Sequence, residues 1–145
     1  MDESRYIKTE DQNGVITFTP IKREVKCWEG LGEVSGYYLD EENDPTYTKT
    51  NSKCDGMRDV FATKEQCEAS IALAMLSQLM KDANGDWKPD WQSGSAKYIV
   101  FFENYLPVKR SCYTRQCFIA FETPEIRDRF LELHIDLINK AKPLL

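Results

Sequence analysis

Hydrophobic residues recur at helical spacing in two long stretches of the chain. The first, Ala69 to Met80, is apolar around most of its girth, whereas the second, Pro124 to Ala141, has an apolar stripe on one face. Each stretch follows a similar junction, FATKE at 61–65 and FETPE at 121–125. The threonine of each junction can accept a hydrogen bond from the first helical turn, and the glutamate favours the positive end of the helix dipole. We therefore predict helices from about Lys64 to Ala83 and from Pro124 to Ala141.

Alternating apolar and polar positions predict strands in the rest of the chain, because successive side chains of a strand point to opposite faces. Glu103-Asn104 is the predicted tight turn between two of these strands. Short links favour antiparallel pairing. The predicted strands are Val15 to Thr19, Val25 to Trp28, Glu33 to Leu39, Lys97 to Phe102, Leu106 to Cys112 and Arg115 to Phe121.

Two polar segments interrupt this pattern. Residues 1–13 are polar, and we predict a frayed N-terminus there. Residues 40–59 are rich in Asp, Asn, Thr, Ser and Gly, which favour turns, and form the longest predicted loop. This loop either carries a short strand around Tyr47 or is a mobile contact surface, and we favour the second interpretation.

Together these elements predict a single α+β domain over residues 1–145. Residues 14–61 form its strand-rich part, and residues 62–145 contribute a helix, three strands and a second helix. The fold class is a mainly antiparallel sheet packed with two amphipathic helices, and the repeated junction suggests a degenerate ββα duplication. Because the first helix is apolar on more than one side, it needs cover either from the N-terminal strands and the later sheet or from a second copy.

Composition supports a folded, soluble chain. Hydrophobic residues make up 41% and aromatic residues 12% of the sequence, enough apolar surface to offset the entropy of ordering the chain. The net charge of −5 disfavours nucleic acid unless a local basic patch exists. Charged residues near the start exclude a signal peptide, and no later apolar run is long enough for a bilayer. We therefore expect a cytoplasmic protein with no membrane partner.

The chemistry-bearing residues are few. Five cysteines and a single histidine, His134, lack zinc-site spacing, and an odd number of cysteines fits a reduced thiol state. The chain contains no nucleophile elbow, phosphate-binding glycine loop or HExxH motif. We accordingly predict no catalytic residue, no metal, no cofactor and no enzymatic activity.

Two clusters are candidates for binding. Trp87 and Trp91 flank a proline after the first helix, and they form either a lid over the core or an aromatic anchor for a partner protein. Lys109, Arg110 and Arg115 lie near aromatic residues in the last strands, where a basic and aromatic sheet edge could stack single-stranded nucleic acid.

The motifs WKPDW at 87–91, the helix at 61–80 and the ending at 121–145 occur in an order that resembles a family of small uncharacterised proteins. These proteins are encoded by phages, prophages and mobile elements of gut Bacteroidales and related bacteria. The resemblance covers about Trp28 to Leu145 and implies an origin in a bacterial host cell or its virus, without catalytic residues to carry over. We predict a non-enzymatic interaction or assembly module that binds a host or viral protein or itself. The alternative is an accessory protein that binds single-stranded nucleic acid.

Overall fold

The computed structural model describes residues 6–21, 24, 26–52 and 59–145. Within them lie seven strands, two α-helices and two short 3₁₀ helices. The strands are β1 (Tyr6–Glu10), β2 (Ile16–Pro20), β3 (Glu33–Leu39), β4 (Pro45–Asn51), β5 (Lys97–Glu103), β6 (Leu106–Cys112) and β7 (Ile119–Phe121). The helices are α1 (Lys64–Asn84) and α2 (Pro124–Ala141), and the 3₁₀ turns are Trp28–Gly30 and Lys142–Leu144.

The strands form three antiparallel sheets. β1 pairs with β2, β3 pairs with β4, and the third sheet has the order β6-β5-β7. The predicted α+β class with antiparallel sheets and two helices is therefore confirmed.

The main core lies between the three-stranded sheet and an antiparallel pair of helices. Val100 of β5 and Phe121 of β7 pack there against Leu76 of α1 and against Phe130 and Ile138 of α2. The rings of Phe121 and Phe130 have centroids 4.8 Å apart. Because Val100 and Phe121 are nearly inaccessible to solvent, this layer supplies much of the hydrophobic stabilisation of the fold.

The opposite face of β5 is covered by chain segments that lack regular structure. Lys97, Ile99 and Phe101 alternate onto this face. The ammonium group of Lys97, although its residue is only 1% exposed, donates to the carbonyl of Ser93 at 2.9 Å, to the hydroxyl of Ser93 at 3.2 Å and to the carbonyl of Tyr113 at 2.9 Å. Three neutral acceptors therefore satisfy its three N–H groups.

The two predicted junctions have the same place in the backbone topology. Phe61 forms an antiparallel bridge with Tyr37 of β3, and Phe121 pairs with Tyr98 of β5. In both cases the chain forms a hairpin, returns to the free side of the hairpin's first strand and then enters a helix. Thr63 caps α1 and Thr123 caps α2, each accepting from the backbone N–H three residues later. The same order of hairpin, returning segment and helix thus occurs twice, and duplication of a ββα unit stays a prediction.

Helix α1 is covered on two sides, as a helix with apolar residues on more than one face requires. One side packs in the main core through Ala72 and Leu76, and contacts with β3 and β4 cover the side that carries Cys67. Two kinds of cover were predicted for this helix. The structure contains the first, in which the N-terminal strands and the later sheet pack on the helix. Met75 remains 51% exposed.

Two predictions for the N-terminal half are wrong. Tyr6–Glu10 is a paired strand and not a frayed end, because β2 supplies its hydrogen-bond partners. The segment 40–59 carries strand β4, which includes the pair Tyr37–Tyr47, so the strand alternative is correct and the preferred loop is not. The remaining part of that loop, residues 53–58, lies outside the described residues.

Smaller corrections concern element ends. The residues at 28–30 form a 3₁₀ turn in place of the end of a strand, while Val25 lies outside the described residues. The turn between β5 and β6 is Asn104-Tyr105, both with positive φ, one residue later than predicted. β7 is confined to Ile119–Phe121 because residues 113–118 cross from one side of β5 to the other.

Candidate functional site

The hairpin of β1 and β2 is built by a turn that its own sequence encodes. The carboxylate of Asp11 accepts the backbone N–H groups of Asn13 at 2.9 Å and Val15 at 2.8 Å. Gly14 follows with a φ of 76°, a conformation that glycine adopts at little cost. The backbone N–H of Asp11 then donates to the carbonyl of Val15 at 3.0 Å and starts the ladder between the strands.

This hairpin exposes its apolar side chains. Every residue of β2 is exposed, and so is every residue of β1 except Tyr6, which is half-buried. No other described element makes more than marginal contact with the hairpin. The exposed apolar residues on it and beside it are Ile7, Val15, Ile16, Phe18 and Ile21. An isolated two-stranded hairpin is marginally stable in water, so this element lacks the support that the other sheets have.

The outer edge of β1 presents backbone groups that pair with no strand among the described residues. Because Asp11 directs its N–H towards β2, Thr9 and Ile7 do so as well, since alternate residues of a strand share their hydrogen-bonding side. The N–H and C=O groups of Tyr6, Lys8 and Glu10 therefore point away from β2. An edge of this kind can pair with a further strand.

The predicted aromatic anchor lies against the protein. Trp87 and Trp91 are both half-buried in the segment after α1. The ring centroid of Trp91 lies 5.8 Å from the ammonium nitrogen of Lys97, within the range of a cation–π contact. These positions fit the lid interpretation in part, and since neither tryptophan is fully buried, the anchor stays a prediction.

The predicted basic edge is divided between two faces of the sheet. Lys109 lies on the helix side, 3.2 Å from Asp128, whereas Arg110 lies on the other side, 3.2 Å from Glu103. The guanidinium of Arg115 stacks 5.0 Å from the ring centroid of Phe101. The structure therefore does not bring these three cations together on one surface.

The carboxylate of Asp128 is paired with two neighbouring cations. Its carboxylate accepts a hydrogen bond from Arg127 at 2.8 Å and lies beside Lys109. The hydrogen bond from Arg127, followed by the contact with Lys109, lowers the pKa of Asp128 below its ordinary value. Much of the positive charge at this edge is thus neutralised within the molecule.

A shallow groove runs between the helices on the side away from the sheet. One part, of about 540 Å³, includes Ile71, Met75 and Leu137, and another, of about 430 Å³, includes Phe130 and Leu133. Glutamates and aspartates line much of its rim. The groove is apolar at its floor, but nothing in its lining selects a particular ligand.

Two of the described thiols and the histidine lie in packed surroundings. Burial raises the pKa of the thiols of Cys67 and Cys117, which makes both poorer nucleophiles. His134 packs with its ring centroid 4.6 Å from that of Phe130. Among the residues that the structure describes, no three His, Cys, Asp or Glu side chains are placed to hold a metal ion together. Cys54 lies outside those residues.

The prediction of a frayed segment at 1–13 left the hairpin out of the candidate sites. A usable signal was present, since Asp11 and Gly14 have the spacing of a hairpin turn and the strand-favouring residues Tyr6, Ile7 and Thr9 precede it. Within the described part of the chain, no helix combines the length and apolarity needed to cross a bilayer.

Comparisons with protein-family models, with curated proteins and with solved structures give no significant match for this chain.

Proposed function

We propose that the protein is a non-enzymatic interaction or assembly module that binds through the β1–β2 hairpin. One observation carries this proposal. The hairpin exposes large apolar side chains on both of its faces, Ile16 and Phe18 on one and Ile7 on the other, while the rest of the described chain buries a continuous core without it. Exposed apolar residues that share a face, as Ile16 and Phe18 do, are typical of surfaces that another protein covers.

The structure gives the hairpin stronger support than the two tryptophans. Trp87 and Trp91 are half-buried, whereas Ile7 is 55% and Phe18 is 38% exposed. The tryptophans nevertheless lie at the surface and could belong to a second contact. Their replacement serves below as a comparison for replacement of the hairpin residues.

The first test is the solution mass of the purified protein by light scattering, with and without lysate of a bacterial host. We expect either a mass above that of the monomer or capture of a defined host or viral protein. In both cases Phe18→Ser and Ile7→Ser should weaken the effect, because they remove apolar surface from the hairpin and leave the core intact.

Trp87→Ser and Trp91→Ser provide the matched comparison. If these variants lose association and the hairpin variants keep it, the proposed surface is wrong and the aromatic segment is the contact. A monomer that captures nothing, in wild-type form and in every variant, would contradict the proposed function altogether.

The nucleic-acid alternative has weaker support from the geometry. Lys109 and Arg110 already form ion pairs with Asp128 and Glu103, and Arg115 stacks on an aromatic ring. Any phosphate would compete with these carboxylates. Salt-sensitive binding of a single-stranded oligonucleotide that is lost in Lys109→Glu, Arg110→Glu and Arg115→Glu would favour this alternative.

We extend the proposal to origin and location. The resemblance of the WKPDW motif and the C-terminal helix to proteins of phages and mobile elements supports a role in the cytoplasm of a bacterial host cell. Recovery of the protein from the soluble fraction of such a host, together with its partner, would test this extension.

A further inference from the structure

We propose that the partner of the hairpin is a second copy of this chain, with the two β1 strands paired antiparallel so that Lys8 of each copy faces Glu10 of the other. This inference rests on the proposed function, because it names the partner and the register of the same surface. The joined hairpins would form a four-stranded sheet with the order β2-β1-β1-β2 and a closed two-fold symmetry.

The backbone of β1 permits this pairing. In the hairpin, Ile7 and Thr9 direct their N–H and C=O groups to β2, so Lys8 and Glu10 direct theirs outwards. When Lys8 lies opposite Glu10 of the second copy, each such pair exchanges two hydrogen bonds. Thr9 then lies opposite Thr9 of the second copy on the two-fold axis, as a pair without mutual hydrogen bonds.

Charge selects this register over the neighbouring one. A shift of the pairing by two residues preserves the hydrogen-bond pattern but places Lys8 opposite Lys8 of the second copy. Like charges directly opposite each other are unfavourable, whereas opposite charges across strands are favourable. The proposed register forms two reciprocal Lys8–Glu10 pairs, so the edge is complementary to itself.

The outer edge of β2 is less suited to the same role. Its outward positions are Ile16, Phe18 and Pro20, which pair with Glu10, Lys8 and Tyr6 of β1. Pro20 has no N–H group to donate, and proline at an edge commonly protects against strand addition. β2 also lacks charged residues that would set a register.

Addition of strands would stabilise the β1–β2 hairpin. Two-stranded hairpins gain independent stability when a third strand or a packed layer is added. β3 and β4 have the bridge at Phe61 and the cover of α1, while β1 and β2 have no comparable support among the described elements. A second hairpin would supply it.

The decisive experiment uses two charge-reversal variants of the full chain, Lys8→Glu and Glu10→Lys, studied by analytical ultracentrifugation. The wild type should dimerise. Each variant alone places like charges opposite each other twice, so we expect its dimerisation to weaken about tenfold or more. An equimolar mixture should restore a heterodimer, because the two glutamates on β1 of one variant then face the two lysines on β1 of the other. Added salt should weaken the heterodimer.

A matched pair of proline variants tests which edge is used. Lys8 and Phe18 face each other across the hairpin, and neither donates its N–H to the other strand. Lys8→Pro should abolish dimerisation, whereas Phe18→Pro should dimerise as strongly as Phe18→Ser, which lacks the same ring but keeps its N–H group. Circular dichroism should show the same folded core in both variants.

Three results would overturn the inference: a monomeric wild type at about 0.5 mM, mixtures that associate no better than the separate variants, or loss of the dimer in Phe18→Pro alone. The proposed function has its own readout in Phe18→Ser. If Phe18→Ser loses binding to another protein while the charge variants behave like wild type, the interaction function stands and the self-pairing fails. If no variant changes any association, both proposals fail.

Discussion

The two N-terminal hairpins have turns of the same kind but differ in what surrounds them. Asp11 accepts the backbone N–H groups two and four residues later, and Asp40 does the same with Glu42 and Asp44. Gly14 and Asn43 occupy the equivalent positions with positive φ. The β3–β4 hairpin nevertheless packs beside α1, whereas the β1–β2 hairpin remains exposed.

The difference lies outside the turn, at the outer edge of the first strand. Tyr37 of β3 exchanges two backbone hydrogen bonds with Phe61, of 2.9 and 2.7 Å, just before the chain enters α1. Gly36 makes this approach feasible, because a Cβ atom there would overlap the carbonyl oxygen of Phe61. In β1 the corresponding edge has no such partner among the described residues and is free to bind another strand.

The comparison teaches that local sequence can form a hairpin without determining its use. A turn sets strand pairing and register. Docking of the hairpin requires a returning segment and a close main-chain approach. The β3–β4 hairpin is thus a structural part of a repeated unit, while the β1–β2 hairpin is an addition to the two units.

The largest expected effect on stability comes from comparing the same substitution, Phe to Ala, in the core and in the exposed hairpin. Phe121→Ala should lower the free energy of unfolding by about 3–5 kcal/mol, because Phe121 is fully buried. Phe18→Ala should change the stability of the monomer by less than about 1 kcal/mol, since Phe18 is partly exposed. Urea unfolding measures both values. Equal losses would show that the hairpin packs in solution and would break the comparison.

The next effect concerns docking of the second hairpin. Gly36→Ala should destabilise the fold by about 1–3 kcal/mol, because the new methyl group forces Phe61 and β3 apart. Gly94→Ala is the control, since a Cβ there meets open space. Thermal unfolding should show a lower melting temperature for the first variant only. An unchanged Gly36→Ala would mean that the Phe61 bridge does not anchor this hairpin.

A smaller effect is expected at the junction between the bridge and α1. The hydroxyl of Thr63 accepts the N–H of Gln66 at 3.1 Å. Thr63→Ala should therefore cost about 1 kcal/mol of global stability. Thr19→Ala on exposed β2 should cost less than about 0.5 kcal/mol. Chemical denaturation of both variants gives the difference, and a loss at Thr19 as large as that at Thr63 would contradict the assignment.

The smallest effect is the pH dependence of the turn at Asp40. Hydrogen bonds from the backbone N–H of Asp44 in the first place, and from Thr46 and Glu42, hold the pKa of Asp40 below its ordinary value of 3.8. Since the pKa is lower in the folded state, this contribution is present above pH 3.8 and is lost as the pH falls through the folded value.

Amide hydrogen exchange at Asp44 reports this contribution. Protection at Asp44 should decrease in acid for the wild type and should be low at every pH in Asp40→Ala, which lacks the acceptor. Asp11→Ala is the matched variant, and its effect should remain confined to the amides of Asn13 and Val15. Acid-independent protection at Asp44 would contradict the role of the Asp40 carboxylate.

The features that the sequence predicted correctly depend on local rules. Thr63 and Thr123 cap their helices because capping needs only one side chain and the next helical turn. Strand β6 has the predicted bounds because apolar residues and a turn define it. The class α+β follows from such elements.

The features that the sequence did not predict depend on distant residues. Strand β4 contains Thr48 and Lys49 among polar neighbours, and its pairing with β3 identifies it as a strand. The division of Lys109 and Arg110 between two faces follows from alternation within the predicted strand, whereas the pairing of Lys109 with Asp128 depends on the packing of α2. Exposure of the β1–β2 hairpin is a property of tertiary packing, which periodicity alone does not contain.

Lys97 gives the fold an internal chemical reporter. Its ammonium group is saturated by the carbonyls of Ser93 and Tyr113 and the hydroxyl of Ser93, and the residue is 1% exposed. An amine-reactive reagent needs a free, deprotonated and accessible nitrogen, so it should modify exposed Lys8 or Lys49 well before Lys97. The rate at which mass spectrometry detects label on Lys97 would then measure how often the segments around Ser93 and Tyr113 open in the folded protein.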